Sequence, residues 1–324
     1  MRLLKIVPDN TNIDFVRLRG WAFGLTLLLS ALAVGLTVYK GLNFGVDFAG
    51  GLMIEETFAT PPDQNKVRSV VDGLGVGEAS LQQQGGPQTL IIRLPVQTGA
   101  DDGATNAVVK KVETALGQAF PGATFSRYST VSGKVSNELI RNGVLAVVLA
   151  VLGIGLFAIV RFEWQFGVST IVAIVHDLLM TIGFFALSGF EFDLNIIAAV
   201  LTIIGYSIND KIVIDDRIRE NMRRYRKMEM REIINLSVNE TLPRTVMTSV
   251  TILLALVAML LLGGHVLRGF TAAMILGIVV GTYSSIYVSS SLLITLGLRA
   301  EPNAPEKPGR TGIDNAERVV PRDR

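Results

Sequence analysis

Six long apolar stretches interrupt an otherwise ordinary polar sequence. Residues 20–39 carry no charge, and a helix of that length, rising ~1.5 Å per residue, matches a hydrocarbon core of roughly 30 Å. Residues 142–160 are likewise uncharged and predict a second span. A third covers about 165–188, a fourth runs from 194 to about 214, a fifth covers 245–262, and a sixth lies within 269–298. Arg161-Phe162-Glu163 and Gly189-Phe190-Glu191-Phe192-Asp193 are short hydrophilic turns between spans. The first run follows Arg2, Lys5, Arg17 and Arg19, and no small-residue cleavage site comes before Asn43. It reads as an uncleaved anchor rather than a signal peptide.

Residues 41–141 have the pattern of a water-exposed domain. Alternating and apolar runs predict strands over 52–58, 78–84, 88–94 and 123–130. The second and third are joined by Gly85-Gly86-Pro87. Val67, Val70, Val71 and Leu74 share one face of a helix over 63–74, and 105–120 reads as a second amphipathic helix. The order β-α-β-β-α-β is the ferredoxin-like arrangement, with both helices on one sheet face. The expected fold class is therefore a polytopic α-helical membrane protein. It has six transmembrane helices and one α+β (ferredoxin-like) extracytoplasmic domain between the first two.

Composition agrees. Charged residues make up 18% of the chain against about 25% in soluble domains, and mean hydropathy is +0.45. This excludes a soluble enzyme, a nucleic-acid-binding domain and a secreted disulfide scaffold. There are no cysteines, so thiol chemistry is absent. Net charge is only +2, so no global steering field is implied. Lysine and arginine do, however, set the topology. Segment 217–244 holds Arg217, Arg219, Arg223, Arg224, Arg226, Lys227, Arg231 and Arg244 against four acids, whereas the 189–193 turn has no Lys or Arg. The positive-inside rule then places residues 1–19, the basic loop 217–244 and the tail 299–324 in the cytoplasm, and 41–141 outside. The tail, charged and proline-containing, reads as disordered.

Ionisable groups at membrane depth cost about 2.5–3.5 kcal/mol each and are functional-site candidates by default. His176 and Asp177 stand in the third span, and Asn209, Asp210 and Lys211 in the fourth. The fifth opens at Arg244 and carries a polar stripe of Thr245, Thr248, Ser249 and Thr251. Counting ~1.5 Å per residue puts Asp177 ~18 Å in, near the midplane, and Asp210 roughly 6 Å from the cytoplasmic edge, within reach of Arg244. Two acids at different depths suit a stepwise proton relay. A carboxylate that alternates between an apolar setting and an arginine would take up and release a proton. Two structural readings stand beside this one: a static Asp210–Arg244 salt bridge, or Asp210 and Lys211 snorkelling to the headgroups. His176 suits either a proton shuttle or a hydrogen-bonded structural role. Gly277 and Gly281 form a GxxxG spacing that permits close helix approach. Gly133-Lys134-Val135-Ser136 resembles the end of a phosphate loop, but Tyr128 stands where its first glycine belongs. No nucleotide, metal or other cofactor is expected, and an ion gradient or a partner must supply energy.

Several motifs together resemble the SecD/SecF family of bacterial protein-export membrane proteins, in its SecF branch. They are Phe44-Gly45-Val46-Asp47-Phe48-Ala49-Gly50-Gly51 after the first span, and Gly205-Tyr206-Ser207-Ile208-Asn209-Asp210 in the fourth. Asp216-Arg217-Ile218-Arg219-Glu220-Asn221 follows, then Thr241-Leu242-Pro243-Arg244-Thr245, and Gly281-Thr282-Tyr283-Ser284-Ser285-Ile286-Tyr287 in the sixth. The resemblance covers residues 1 to about 298. It implies half of a twelve-span assembly with SecD, related to the resistance-nodulation-division transporters. That assembly works with the SecYEG channel, often with YajC, and uses the proton-motive force to complete export of unfolded polypeptides after the motor SecA acts. The implied setting is the bacterial inner membrane, and no enzymatic activity follows. The family's transport-linked acid falls on Asp210 and its arginine on Arg244, with Tyr206, Ser207, Asn209 and Thr248 as polar support. Asp47, Gly50 and Gly51 match the motif after the first span, where a structural or gating role is implied. Lys211 departs from the family, in which a small polar residue is usual. A resistance-nodulation-division exporter half for small molecules or lipids, and a non-transporting scaffold for SecD, are the competing readings.

Overall fold

The computed structural model describes residues 8, 11–84, 86–95, 102–264 and 267–299. The sequence expectations for 1–7 and for 300–324 lie outside these. Six helices are long and apolar enough to cross a membrane. They are built from α1 (Arg19–Lys40), α5 (Gly133–Arg161), α6 (Trp164–Ser188), α7 (Leu194–Arg224), α8 (Met230–Leu262) and a composite last span. That last span joins α9 (Arg268–Tyr283), a π-helical segment Ser284–Ser289 and α10 (Ser290–Thr295).

Apolar length underestimates these helices. The second begins at Gly133, nine residues before its apolar run, because the Ser132 side chain accepts a hydrogen bond from Val135 N and caps it. The expected basic loop 217–244 is in fact mostly helix, belonging to α7 up to Arg224 and to α8 from Met230. Hydrocarbon thickness limits where residues must be apolar, but it does not limit where helical hydrogen bonding stops. Pro243 sits inside α8 without ending it. Proline cannot donate to the carbonyl four residues back, and Thr11 Oγ1 donates to that Asn239 carbonyl instead, at 3.4 Å. The Asn239 side chain also accepts from Ile13 N and donates to Ile13 O, both at 2.9 Å. The N-terminal strap 11–18 is thereby tied to α8.

The polar region holds β1 (Asn43–Phe44), α2 (Val46–Ala49), β2 (Gly51–Thr57), α3 (Gln64–Asp72), β3 (Ser80–Gln83), β4 (Thr89–Leu94), α4 (Asp102–Ala119) and β5 (Thr124–Val131). Four strands form one antiparallel sheet in the order β3-β4-β2-β5. Leu52, Ile54 and Phe58 meet Val67 and Val71 of α3 and Val109, Val112 and Leu116 of α4 on one sheet face. Met53 and Ile91 point the other way and pack on Val46. Strand β2 is thus buried on both faces, so its sequence reads as a run rather than an alternation.

Two short strands escaped the pattern, as did the four-residue α2. Strand β1 pairs in parallel with β6 (Glu191–Phe192), through Asn43–Glu191 and Phe44–Phe192. Two-residue strands carry no detectable period. They nevertheless join the segment after the first span to the turn before the fourth.

Candidate functional site in the membrane bundle

Glycine decides how closely the last span approaches α7. A Cβ on Gly277 would lie 2.4 Å from Ile203 Cγ1, and one on Gly281 would lie 3.0 Å from Ser207 Cβ. With hydrogen at both positions, α9 lies directly on α7. This contact carries Ser284 and Ser207 to the same acid. Asp177, only 1% exposed, accepts hydrogen bonds at Oδ2 from Ser207 Oγ (2.6 Å) and Ser284 Oγ (3.0 Å). Its Oδ1 stands 3.1 Å from His176 Nδ1, and His176 Nε2 is buried without a partner. Ser285 Oγ donates to the Ser207 carbonyl at 3.2 Å. The π-helical segment therefore holds α6 through Asp177 and α7 through Ser207, and π-bulges of this kind concentrate at functional sites.

Asp210 lies one turn beyond Ser207. It is 2% exposed, and its Oδ2 has no hydrogen-bond partner. Asp177 and Asp210 are thus about one turn (~5 Å) apart along α7, closer than counting from the apolar edges implied. The static Asp210–Arg244 salt bridge, one of the two structural readings, is not formed among the described residues. Arg244 is exposed and faces a crevice at the end of the bundle, lined also by Asp216, Glu220 and Glu240. Nor does Lys211 snorkel. It is 3% exposed, and its Nζ donates to Asp215 Oδ2 at 2.6 Å, four residues on. Asp215 was missed in the sequence, although the i,i+4 spacing from Lys211 signals the pair.

The supporting residues divide. Tyr206 OH donates to Ser249 Oγ at 3.1 Å, and Ser249 is 3.0 Å from Thr282 Oγ1, so a polar chain links α7, α8 and α9. Thr248 Oγ1 is turned onto its own helix, reaching the Thr245 carbonyl at 2.9 Å. Asn209 is exposed on the same helix side as Thr202 and Gly205. Thr202 and Thr251 are also exposed, with their hydroxyls donating to the Ala198 and Met247 carbonyls of their own helices at 2.7 and 2.8 Å, so of these three exposed polar side chains Asn209 is the one without such a bond among the described residues.

The motif after the first span lies elsewhere, at the joint between sheet and bundle. Gly50 (φ 71°) and Gly51 (φ 113°) adopt backbone that L side chains avoid, and a Cβ on Gly51 would meet the Leu94 carbonyl at 2.3 Å. Asp47 Oδ2 accepts from Leu194 N at 3.1 Å and so helps cap α7. Arg93 donates to Asn43 Oδ1 (2.9 Å) and the Phe44 carbonyl (3.1 Å), and pairs with Glu191 at 3.0 Å. Burial pushes the Glu191 carboxyl up, opposed by Arg93, and burial likewise pushes up Asp193. Ser136 Oγ donates to the Phe48 carbonyl at 2.5 Å, tying the joint to α5. Among the described residues no cluster of His, Cys, Asp or Glu could hold a metal ion.

Comparison with known proteins gives a consistent result. The model for protein export membrane protein SecD/SecF, C-terminal, matches residues 111–299, and the SecD/SecF GG motif matches 40–58. The chain is 41% identical to the protein translocase subunit SecF of Cereibacter sphaeroides, over 97% of this chain and 98% of that one. It is 43% identical to the subunit of the same name from Rhodobacter capsulatus, over 91% and 92%. A crystal structure of SecDF, a translocon-associated membrane protein from Thermus thermophilus, superposes with a TM-score of 0.82 at 38% identity. That match covers 90% of this chain but only 39% of the longer SecDF chain. SecDF in its Super-membrane-facing form superposes with a TM-score of 0.66, at the same identity.

Proposed function

This chain belongs to the SecD/SecF family and is an accessory component of Sec protein export in the bacterial inner membrane, and from that premise we propose that it turns proton movement at Asp210 into movement of its sheet domain. The observation that carries this is the Asp210 carboxylate, buried in the bundle with an unpartnered oxygen while Arg244 stands free nearby. A carboxylate in such a place is relieved either by a proton or by an approaching cation. Exchange between the two would alter packing among α6 to α9. One proton crossing the membrane releases about 2.3 kcal/mol per 100 mV, enough to bias a bistable step. Asp177 and His176 form the deeper station of the relay, adjoining Asp210 through Ser207.

The β-α-β-β-α-β unit is read as ferredoxin-like and extracytoplasmic, with both termini cytoplasmic. It would meet unfolded polypeptides leaving SecYEG. Movement reaches it through the Asp47–Leu194 and Arg93–Glu191 contacts at the joint. The two SecDF structures, one of them in a Super-membrane-facing form, match this chain at equal identity but superpose unequally, in keeping with an assembly that has more than one arrangement. SecD is the partner that would cover the exposed Asn209 on α7, because an unpaired polar side chain is unfavourable against lipid. YajC is a further candidate component.

Asp210→Asn tests the reading. Stable, SecD-associated protein that no longer supports proton-motive-force-dependent export is expected. Unchanged export leaves only the scaffold role.

A further inference from the structure

Lys211 is the one buried lysine or arginine among the described residues, and it follows Asp210 directly, with Cα atoms about 3.8 Å apart. Consecutive helical side chains do not face each other, but an uncompensated ammonium buried on the same turn would still favour the ionised form of Asp210, because a unit charge is weakly screened in an apolar interior. The ammonium is instead bound at 2.6 Å by Asp215, itself 1% exposed. The two charges cancel beside Asp210, whose Oδ2 stays unpartnered. A buried ion pair is seldom a net source of stability, so packing alone does not account for it.

We propose that Asp215 is a positioning residue that sequesters Lys211 and so leaves Asp210 free to exchange its proton. This inference rests on the reading of Asp210 given above. The ionisable groups on the elements packed against this stretch of α7 are Arg161 on α5, which pairs with Asp216 at 3.6 Å, His176 and Asp177 on α6, Glu240 and Arg244 on α8, and Tyr283 and Tyr287 in the last span. Among the described residues none of these forms a hydrogen bond or ion pair with Lys211.

The test uses the full chain with SecD in inverted membrane vesicles, reading completion of export with and without a proton-motive force and across pH. Asp215→Asn is expected to lower proton-driven export at least about tenfold, toward the level of Asp210→Asn. The neutral pair Lys211→Gln with Asp215→Asn is expected to restore it to within about twofold and to return the wild-type pH profile. Where Asp215→Asn fails to accumulate in the membrane, the neutral double variant and Lys211→Gln carry the test, and both must remain active. An inactive Asp210→Asn beside a fully active Asp215→Asn overturns this inference alone. So does an inserted double variant that stays inactive, or one whose pH profile differs from wild type. Wild-type export by Asp210→Asn overturns the coupling reading, and the role of Asp215 falls with it.

Discussion

Glu56 offers a quantitative test of the sheet domain. It is 1% exposed, on the helix-covered face of β2 between Ile54 and Phe58, and its Oε2 has no partner. Burial, with the Glu113 carboxylate as a second cause, pushes its carboxyl from the ordinary 4.5 up to about 7. The folded domain therefore keeps a proton that the unfolded chain releases. Stability is full below about pH 4.5, falls as pH rises toward 7, and is level above that. At about 1.4 kcal/mol per pH unit this interval amounts to about 3 kcal/mol, and screening by water at the edge of the core reduces it to about 2 kcal/mol. The assay is hydrogen exchange of β2 and α4 amides in the intact protein in nanodiscs, corrected for intrinsic rates. Wild-type protection is expected to drop roughly 10- to 100-fold between pH 5 and pH 8. In Glu56→Gln, which holds no charge at either pH, most of that drop should vanish. Equal pH dependence in the two proteins would refute the burial argument.

Two further substitutions probe the scaffold. Gly277→Leu forces a side chain into Ile203 and should destabilise the bundle by about 1–3 kcal/mol. A lowered melting temperature in detergent and loss of proton-driven export together would report separation of Ser284 from Asp177, whereas a wild-type melting curve would contradict the close helix contact. Asp47→Ala removes a cap from α7 and should cost about 1 kcal/mol, visible as faster exchange of the Leu194 amide. Unaltered exchange there would show that Asp193, which accepts from Ile196 N at 3.1 Å, caps the helix alone.

The number and order of spans were legible in the chain itself, because hydrocarbon thickness forces twenty or so apolar residues wherever a helix crosses. The four strands of the larger sheet were legible as alternating or continuous apolar runs, β2 as a run because both its faces are buried, whereas the two-residue β1 and β6 were not. Asp177, Asp210 and Arg244 also stood out unaided, since charges are rare at that depth. Their partners did not. The sequence allowed Asp210 to bind Arg244, but only the packing of α9 on α7 through Gly277 and Gly281 delivers Ser284 and Ser207 to Asp177. Likewise only the tertiary structure decides that Lys211 turns inward to Asp215 rather than outward to the headgroups. Apolar burial follows from local pattern, which one segment carries alone. A polar contact between distant segments depends on the distance between helices, and small residues far along the chain set that distance.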